Sequence, residues 1–295
     1  MTTVGVVGLG IMGSAMSPHL LTAGFAVSGY DVVPARVAAL VAAGGTAAES
    51  VRDVADRADV VVTSLPSSEA AVAVCAALAE AGRPGLVVAE TSTLPIDVKA
   101  SCRDVLAQAG GTLLDCPLSG TGAQALERDV VVYGSGDPEA FEVARPVLAG
   151  FSRSVRYLGP FGQGSTMKYV ANLLVAVHNA STAEAFALGV RAGLDPQQLY
   201  DTIRDGAGSS VIFDKRGRLM VDRAYLPATA KVSMFVKDVE LIRQLADSLG
   251  LATPMLDATD ALYARAVDQG LADADAAALL DVMGDPRADR PQGGG

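Results

Sequence analysis

The chain has 295 residues, which at about 150 residues per domain suggests two domains. Half of it is apolar, enough for a large core and too much for a disordered chain. Its 33 acidic residues against 23 basic ones leave a net charge of −10, a balance opposed to nucleic-acid binding, which needs concentrated Lys and Arg. Every apolar run is interrupted by Gly, Pro, Asp or Arg before the roughly 18 residues of a membrane span, so no membrane association is expected. The N-terminus shows no secretory signal. Cys75, Cys102 and Cys116 lack metal-ligand spacing, and only His19 and His178 could assist them, so no metal site is expected. A reduced, cytoplasmic protein is the expectation.

In chain order, strands are predicted at 4–9, 25–31, 58–65, 85–92, 111–118 and 129–136, each apolar on both faces. Helical stretches at 13–23, 34–43, 67–81 and 97–109 separate them. The alternation implies an α/β fold with a parallel, doubly wound sheet covered on both sides, over residues 1–162. After the Gly-Pro-rich GPFGQG (159–164) the pattern changes. Residues 163–192 contain no proline and place Met167, Val170, Leu174 and Val177 on one helical face. Such a helix would be about 45 Å long. Its many small residues allow close helix packing. With further helices predicted at 195–205, 231–249, 253–269 and 274–283, an all-α second domain follows over 163–284. The polar end, 285–295, reads as a disordered tail.

The first strand runs into Gly8-Leu9-Gly10-Ile11-Met12-Gly13. Its G-x-G-x-x-G spacing gives a tight turn, a close backbone approach to a pyrophosphate, and a tightly packed helix whose positive N-terminus faces the anion. Asp31, at the end of the second strand, can accept hydrogen bonds from adenosine ribose hydroxyls and would repel a 2′-phosphate, which favours NAD over NADP. The alternative is a turn or capping role before Pro34. Arg36, five residues on, reads as a helix-surface cation. Leu65-Pro66-Ser67 and Glu90-Thr91-Ser92-Thr93 end later strands, where cofactor loops and helix N-caps share the same place.

DCPLSGTGAQA (115–125) puts Ser119, Gly120, Thr121 and Gly122 in a polar turn. It is able to offer N–H groups and a hydroxyl to a small carboxylate, or to be an ordinary loop. GQGSTMKYVAN (162–172) opens the long helix, with Lys168 and Asn172 on one face. A lysine there is commonly a solvated charge, but its apolar flanks and glycine entry point to a site. Asn179 lies roughly 16 Å further along and reads as structural.

Over residues 3–284 the chain resembles the β-hydroxyacid dehydrogenase family. The resemblance rests on GLGIMGSAM (8–16), LPSS (65–68), TSTLP (91–95), DCPLSGTGAQA, GQGSTMKYVAN and Lys237-Asp238. It implies a Rossmann domain followed by an all-α domain, and hydride transfer between NAD(P) and the hydroxyl carbon of a small β-hydroxy acid such as 3-hydroxyisobutyrate, or its semialdehyde. Lys168 would be the acid/base and Asn172 its orienting partner. Ser119 with the Gly120 and Thr121 backbone would hold the substrate carboxylate, and Thr93 would neighbour nicotinamide and substrate. Gly8 to Gly13, Asp31, Leu65, Pro66 and Lys237 would bind cofactor. Four positions depart from the pattern: Thr121 and Arg128 stand where glycines are usual, and His19 and Ala171 where asparagines are. An imine reductase on this scaffold usually lacks the lysine, an idle dinucleotide-binding relative would not need it, and a 6-phosphogluconate dehydrogenase needs a longer helical domain. The long helix, rich in small apolar residues, is expected to pack against a second copy in a homodimer or homotetramer.

Overall fold

The structure, a computed structural model, describes residues 2–284; the predicted tail at 285–295 lies outside the described residues. The chain divides into two compact units after Lys168.

The first unit begins β1 (Thr3–Val7), α1 (Ile11–Thr22), β2 (Ala26–Tyr30), α2 (Pro34–Ala42), β3 (Thr46–Ala47), α3 (Val51–Arg57) and β4 (Val60–Thr63). It continues with α4 (Ser68–Glu80), β5 (Val87–Glu90), α5 (Ile96–Gln108) and β6 (Thr112–Asp115). These six strands form one parallel sheet in the order β3-β2-β1-β4-β5-β6, reversing direction of growth beside β1 as a doubly wound sheet does. The inner strands are largely apolar because both of their faces are buried, whereas the edge strand β3 is exposed. Val4, Val6, Val60, Val62, Val87 and Ala89 pack with Met16, Leu20 and Phe141 on one side. Val7, Val61, Val88 and Leu113 pack with Val54, Leu78, Cys102 and Leu106 on the other.

One predicted strand does not join that sheet. β7 (Leu118–Ser119), α6 (Gly122–Leu126), β8 (Val131–Gly134), α7 (Pro138–Phe151) and β9 (Ser154–Tyr157) build a separate three-stranded sheet in the order β7-β8-β9. β8 runs antiparallel to β7, since the short α6 between them cannot make the long crossover that a parallel pair requires. A single antiparallel bridge, Asp115 to Ser135, ties this sheet to the end of β6.

α8 (Gln163–Arg191) carries the chain out of the first unit. By length and composition it is able to cross a membrane, contrary to the sequence expectation, yet half of its apolar window is buried in the protein. Most of the anticipated apolar stripe is exposed: Met167 is 41%, Val170 53% and Leu174 51% accessible, while Val177 is half-buried. The buried face consists instead of Tyr169, Ala176, Ala180, Ala183, Phe186 and Val190. The second unit continues with α9 (Pro196–Arg204), α10 (Val211–Asp222), α11 (Val232–Ser248), α12 (Pro254–Asp268), a 3₁₀ turn at Ala276–Ala278 and α13 (Leu279–Val282). The 3₁₀ turn and α13 replace the continuous helix predicted at 274–283. Inside this unit, buried Asn179 donates to Tyr263 Oη at 3.0 Å and to Ala276 O at 2.9 Å, a structural role. Arg216 pairs with buried Asp275 at 2.7 Å.

Candidate active site

The glycine loop between β1 and α1 has the shape of an anion cradle. Gly8 has φ +89°, and a Cβ there would sit 2.1 Å from Ser64 O; a Cβ at Gly13 would sit 2.0 Å from Gly8 O. At Gly10 a Cβ would meet nothing within 4 Å, so the backbone faces open space at the start of α1. No side chain caps that helix start, which leaves first-turn N–H groups for an anion. A dinucleotide pyrophosphate fits this donor set.

Asp31 is buried and works inside the loop. Its Oδ2 accepts the Leu9 N–H at 2.8 Å and its Oδ1 accepts the Val33 N–H at 2.8 Å. Arg36 Nη1 lies 3.3 Å from both oxygens. The two sequence readings of Asp31, turn cap and ribose acceptor, are compatible, because a carboxylate has about four lone-pair sites.

The neighbouring loops are pinned to one another. Ser92 Oγ accepts the Leu65 N–H at 2.8 Å, joining the loop that carries Leu65 and Pro66 to the loop that carries Thr93. Ser67 caps α4 by accepting the Ala70 N–H. Ile11 reaches the other side: a Cβ at Gly122 would lie 2.3 Å from Ile11 Cγ2. The dinucleotide loop and the Ser119–Gly122 turn are thus adjacent. His19 Nε2 lies 3.1 and 2.9 Å from the carbonyls of Ala125 and Leu126, tying α1 to the end of α6.

In the Ser119 turn, Gly120 has φ +144°, and a Cβ would meet Val130 Cγ1 at 2.7 Å. Thr121 is an N-cap with φ −92°, a conformation that does not need glycine. It forms a capping box with Gln124, whose Oε1 accepts the Thr121 N–H at 3.1 Å. That N–H is therefore already occupied, while Ser119 stays half-buried and Gly120 exposed.

Lys168, half-buried on the second turn of α8, follows a helix start sunk into the first unit. Gly164 N–H donates to Ser135 Oγ at 2.9 Å, and Ser165 donates its N–H and hydroxyl to the two oxygens of Asp115 at 2.8 and 2.7 Å. A Cβ at Gly164 would lie 2.3 Å from Tyr133 O and 2.7 Å from Asp115 O. Lys99, 1% exposed, bridges Asp115 at 2.8 Å and Glu90 at 2.7 Å. Its contact with Glu90 Oε2 is a close ion pair rather than a well-aligned hydrogen bond. Burial alone would lower the Lys99 pKa, but the charges of Asp115 and then Glu90 outweigh it and push the ammonium above its usual range.

The sequence reading set Glu90 in a cofactor or cap loop and Asp115 in the substrate motif without giving either an individual role, and it passed over Lys99. The available signal was two acids ending apolar strands and a lysine among apolar helix residues. In the second unit, Asn172 Nδ2 donates to Asp238 Oδ2 at 2.7 Å. Lys237, half exposed, has its ammonium 3.9 Å from Asp238 Oδ1. Asp238 is thus a partner of Asn172 that the sequence showed only as the second letter of a two-residue motif.

A doubly wound parallel sheet with an uncapped glycine loop at its switch point, followed by an all-helical unit, defines an NAD(P)-dependent oxidoreductase. Residues 3–159 match the model of the NAD binding domain of 6-phosphogluconate dehydrogenase, and residues 162–283 match that of the NAD-binding domain of NADP-dependent 3-hydroxyisobutyrate dehydrogenase. L-threonate dehydrogenase of Cupriavidus necator is 34% identical, covering 95% of each chain. NAD-dependent L-serine dehydrogenase of Pseudomonas aeruginosa is 33% identical over 93% of this chain and 95% of its own. Among solved structures, 3-hydroxyisobutyrate dehydrogenase from Salmonella typhimurium aligns with a TM-score of 0.87 at 31% identity, over 96% of this chain and 100% of that one. The chain belongs to the β-hydroxyacid dehydrogenase family.

Proposed function

We propose that the protein oxidises the hydroxyl of a small β-hydroxy carboxylate, or reduces the matching semialdehyde, with NAD favoured over NADP. The observation that carries this reading is Lys168, half-buried one turn beyond a helix start fixed by buried side chains. The similar chains named for L-threonate, L-serine and 3-hydroxyisobutyrate support a short, polar hydroxy carboxylate.

The bound nicotinamide supplies the hydride acceptor or donor. The chain's own residues do the rest. The Ser119 hydroxyl and the Gly120 N–H hold the substrate carboxylate; the Thr121 N–H is spent in its capping box and contributes by shaping the turn. Lys168 receives the hydroxyl proton as a neutral amine and returns it as ammonium in the reverse direction. Asn172, one turn further on the same helix face and bonded to Asp238, orients it. Gly8, Leu9, Gly10, Ile11, Met12 and Gly13 cradle the pyrophosphate. Asp31 meets the ribose, Leu65, Pro66 and Thr93 border the nicotinamide, and Lys237 adds a cofactor contact. Residues 1–162 serve as the dinucleotide domain and 163–284 as the substrate and dimerisation domain. The protein works in the cytoplasm as a homodimer or homotetramer.

A spectrophotometric screen of short β-hydroxy acids and their semialdehydes with NAD(H) and NADP(H) tests this. Turnover of at least one short hydroxy carboxylate, faster with NAD, is expected. Dinucleotide binding without turnover on the whole panel would overturn the proposal.

A further inference from the structure

Two loops of the proposed site are joined through the interior by one ammonium group. On one side, Glu90 Oε1 accepts the Ser92 N–H at 2.8 Å, and Ser92 Oγ in turn accepts the Leu65 N–H. Glu90 thereby fixes the turn that carries Thr93 and the loop that carries Leu65. On the other side, Asp115 takes both donors of Ser165, and its Oδ2 also accepts the Ser135 hydroxyl at 3.2 Å. Asp115 thereby fixes the helix start that carries Lys168 three residues later. Lys99 Nζ sits between the two carboxylates.

All three side chains are essentially inaccessible, at 1% or less. Two carboxylates and one ammonium leave one formal negative charge in the interior. The positive end of α8, a helix of 29 residues, faces it through the Ser165 N–H and offsets it. A buried ion pair of this kind is a poor source of stability compared with apolar packing, but it fixes geometry, because each lost partner strands a charge.

We propose that Lys99 is a positioning residue: through Glu90 and Asp115 it sets the Thr93 loop and the Lys168 helix start in one geometry, so that the hydride site and the proton acceptor move as a unit. The inference rests on the reading of Lys168 as acid/base, and it adds a residue that touches neither substrate nor cofactor. A displacement of about 1 Å between reacting groups costs about 10²-fold in rate, which gives the coupling its consequence.

The test uses the full chain in three variants. Lys99→Met strands both carboxylates and is the severe case. Lys99→Met/Glu90→Gln restores the net charge without restoring the bridge. Ser165→Ala removes only the hydroxyl bond to Asp115. The double variant is expected to recover most of the melting temperature lost by the single one and to bind NAD within about two-fold of wild type, while its kcat stays about 10²-fold low and KM changes little. Ser165→Ala is expected to lose kcat in the same direction by a smaller factor. Amide exchange, which reports local opening, should rise in the double variant at both 91–94 and 165–168, and not in the far half of α8. If kcat returns to wild type together with melting temperature, or if exchange rises at one segment alone, the network is structural and the inference falls. A wild-type protein without turnover on the hydroxy-acid panel would refute the proposed function and leave the exchange measurement to decide the coupling.

Discussion

Lys168 and Lys99 show how differently one residue type serves at two depths. Lys168 is half-buried and must gain and lose a proton. Lys168→Ala is expected to lower turnover by about 10²–10⁴-fold, the usual contribution of general acid–base catalysis, with NAD affinity nearly intact by calorimetry. Lys99 must never lose its proton. With its pKa raised in the folded state, its contribution is fully present below the unfolded value of about 10.4 and is lost as pH rises from there through the raised folded value, so it is constant across an assay range near neutrality. Lys99→Met should destabilise by about 3–5 kcal/mol near neutrality, the cost of breaking a buried pair. The two stranded carboxylates would bind a proton on folding, so the deficit should shrink as pH falls, which melts at several pH values would show. Asp31 is the third residue whose setting decides the outcome. Asp31→Ala should weaken NAD binding about ten-fold or more, and should narrow the preference over NADP, because Arg36 is released toward a 2′-phosphate. The glycine turn after β1 and the place of Lys168 near the start of the long helix were legible because their spacing is local. Lys99 was not, because its partners lie nine and sixteen positions away on two strands, and only the parallel pairing of β5 with β6 brings them together.

At the scale of elements, the legible pieces were those with strong local pattern. Four helices and five strands of the parallel sheet follow from alternation of β-rich and Ala-rich runs, and α8 from thirty residues without proline. The short edge strand β3 has two residues and no periodicity to read. α7 carries Pro146 inside it, which reads as a breaker although the fold tolerates it. β8 was read correctly as a strand but its sheet was not, since partner choice depends on the length of the connection. Two elements invite substitution. Gly164→Ala would press a methyl against Tyr133 O, and the start of α8 would have to shift. A loss of at least about 2 kcal/mol is expected, with kcat falling more than stability explains. Arg128 follows α6 in left-handed conformation, φ 56°, where the family usually has glycine. Arg128→Gly should relieve about 1 kcal/mol of backbone strain, reduced by the lost bond from its guanidinium to Ala149 O. Equilibrium urea unfolding would read both.

For the whole molecule the open question is assembly, and α8 again decides it. Its buried face is satisfied inside the chain by small residues and Phe186. The face bearing Met167, Val170 and Leu174 is exposed, three apolar side chains at helical spacing that no element among the described residues covers. Each copy carries a net charge of −10, so two copies repel at long range while their apolar stripes attract at contact. The balance of those terms predicts an association that strengthens as salt screens the repulsion, over a Debye length falling from about 30 Å at 0.01 M to about 8 Å at 0.15 M. Light scattering at micromolar concentration should therefore give a dimer or tetramer at physiological salt, with more monomer at low salt. Leu174→Asp, which puts a charge in the middle of the stripe, should give monomers at both. The substituted position is already 51% exposed, so the fold itself should survive the change. A wild-type monomer at every salt concentration would mean that the stripe is ordinary exposed surface and that the long helix serves a single chain.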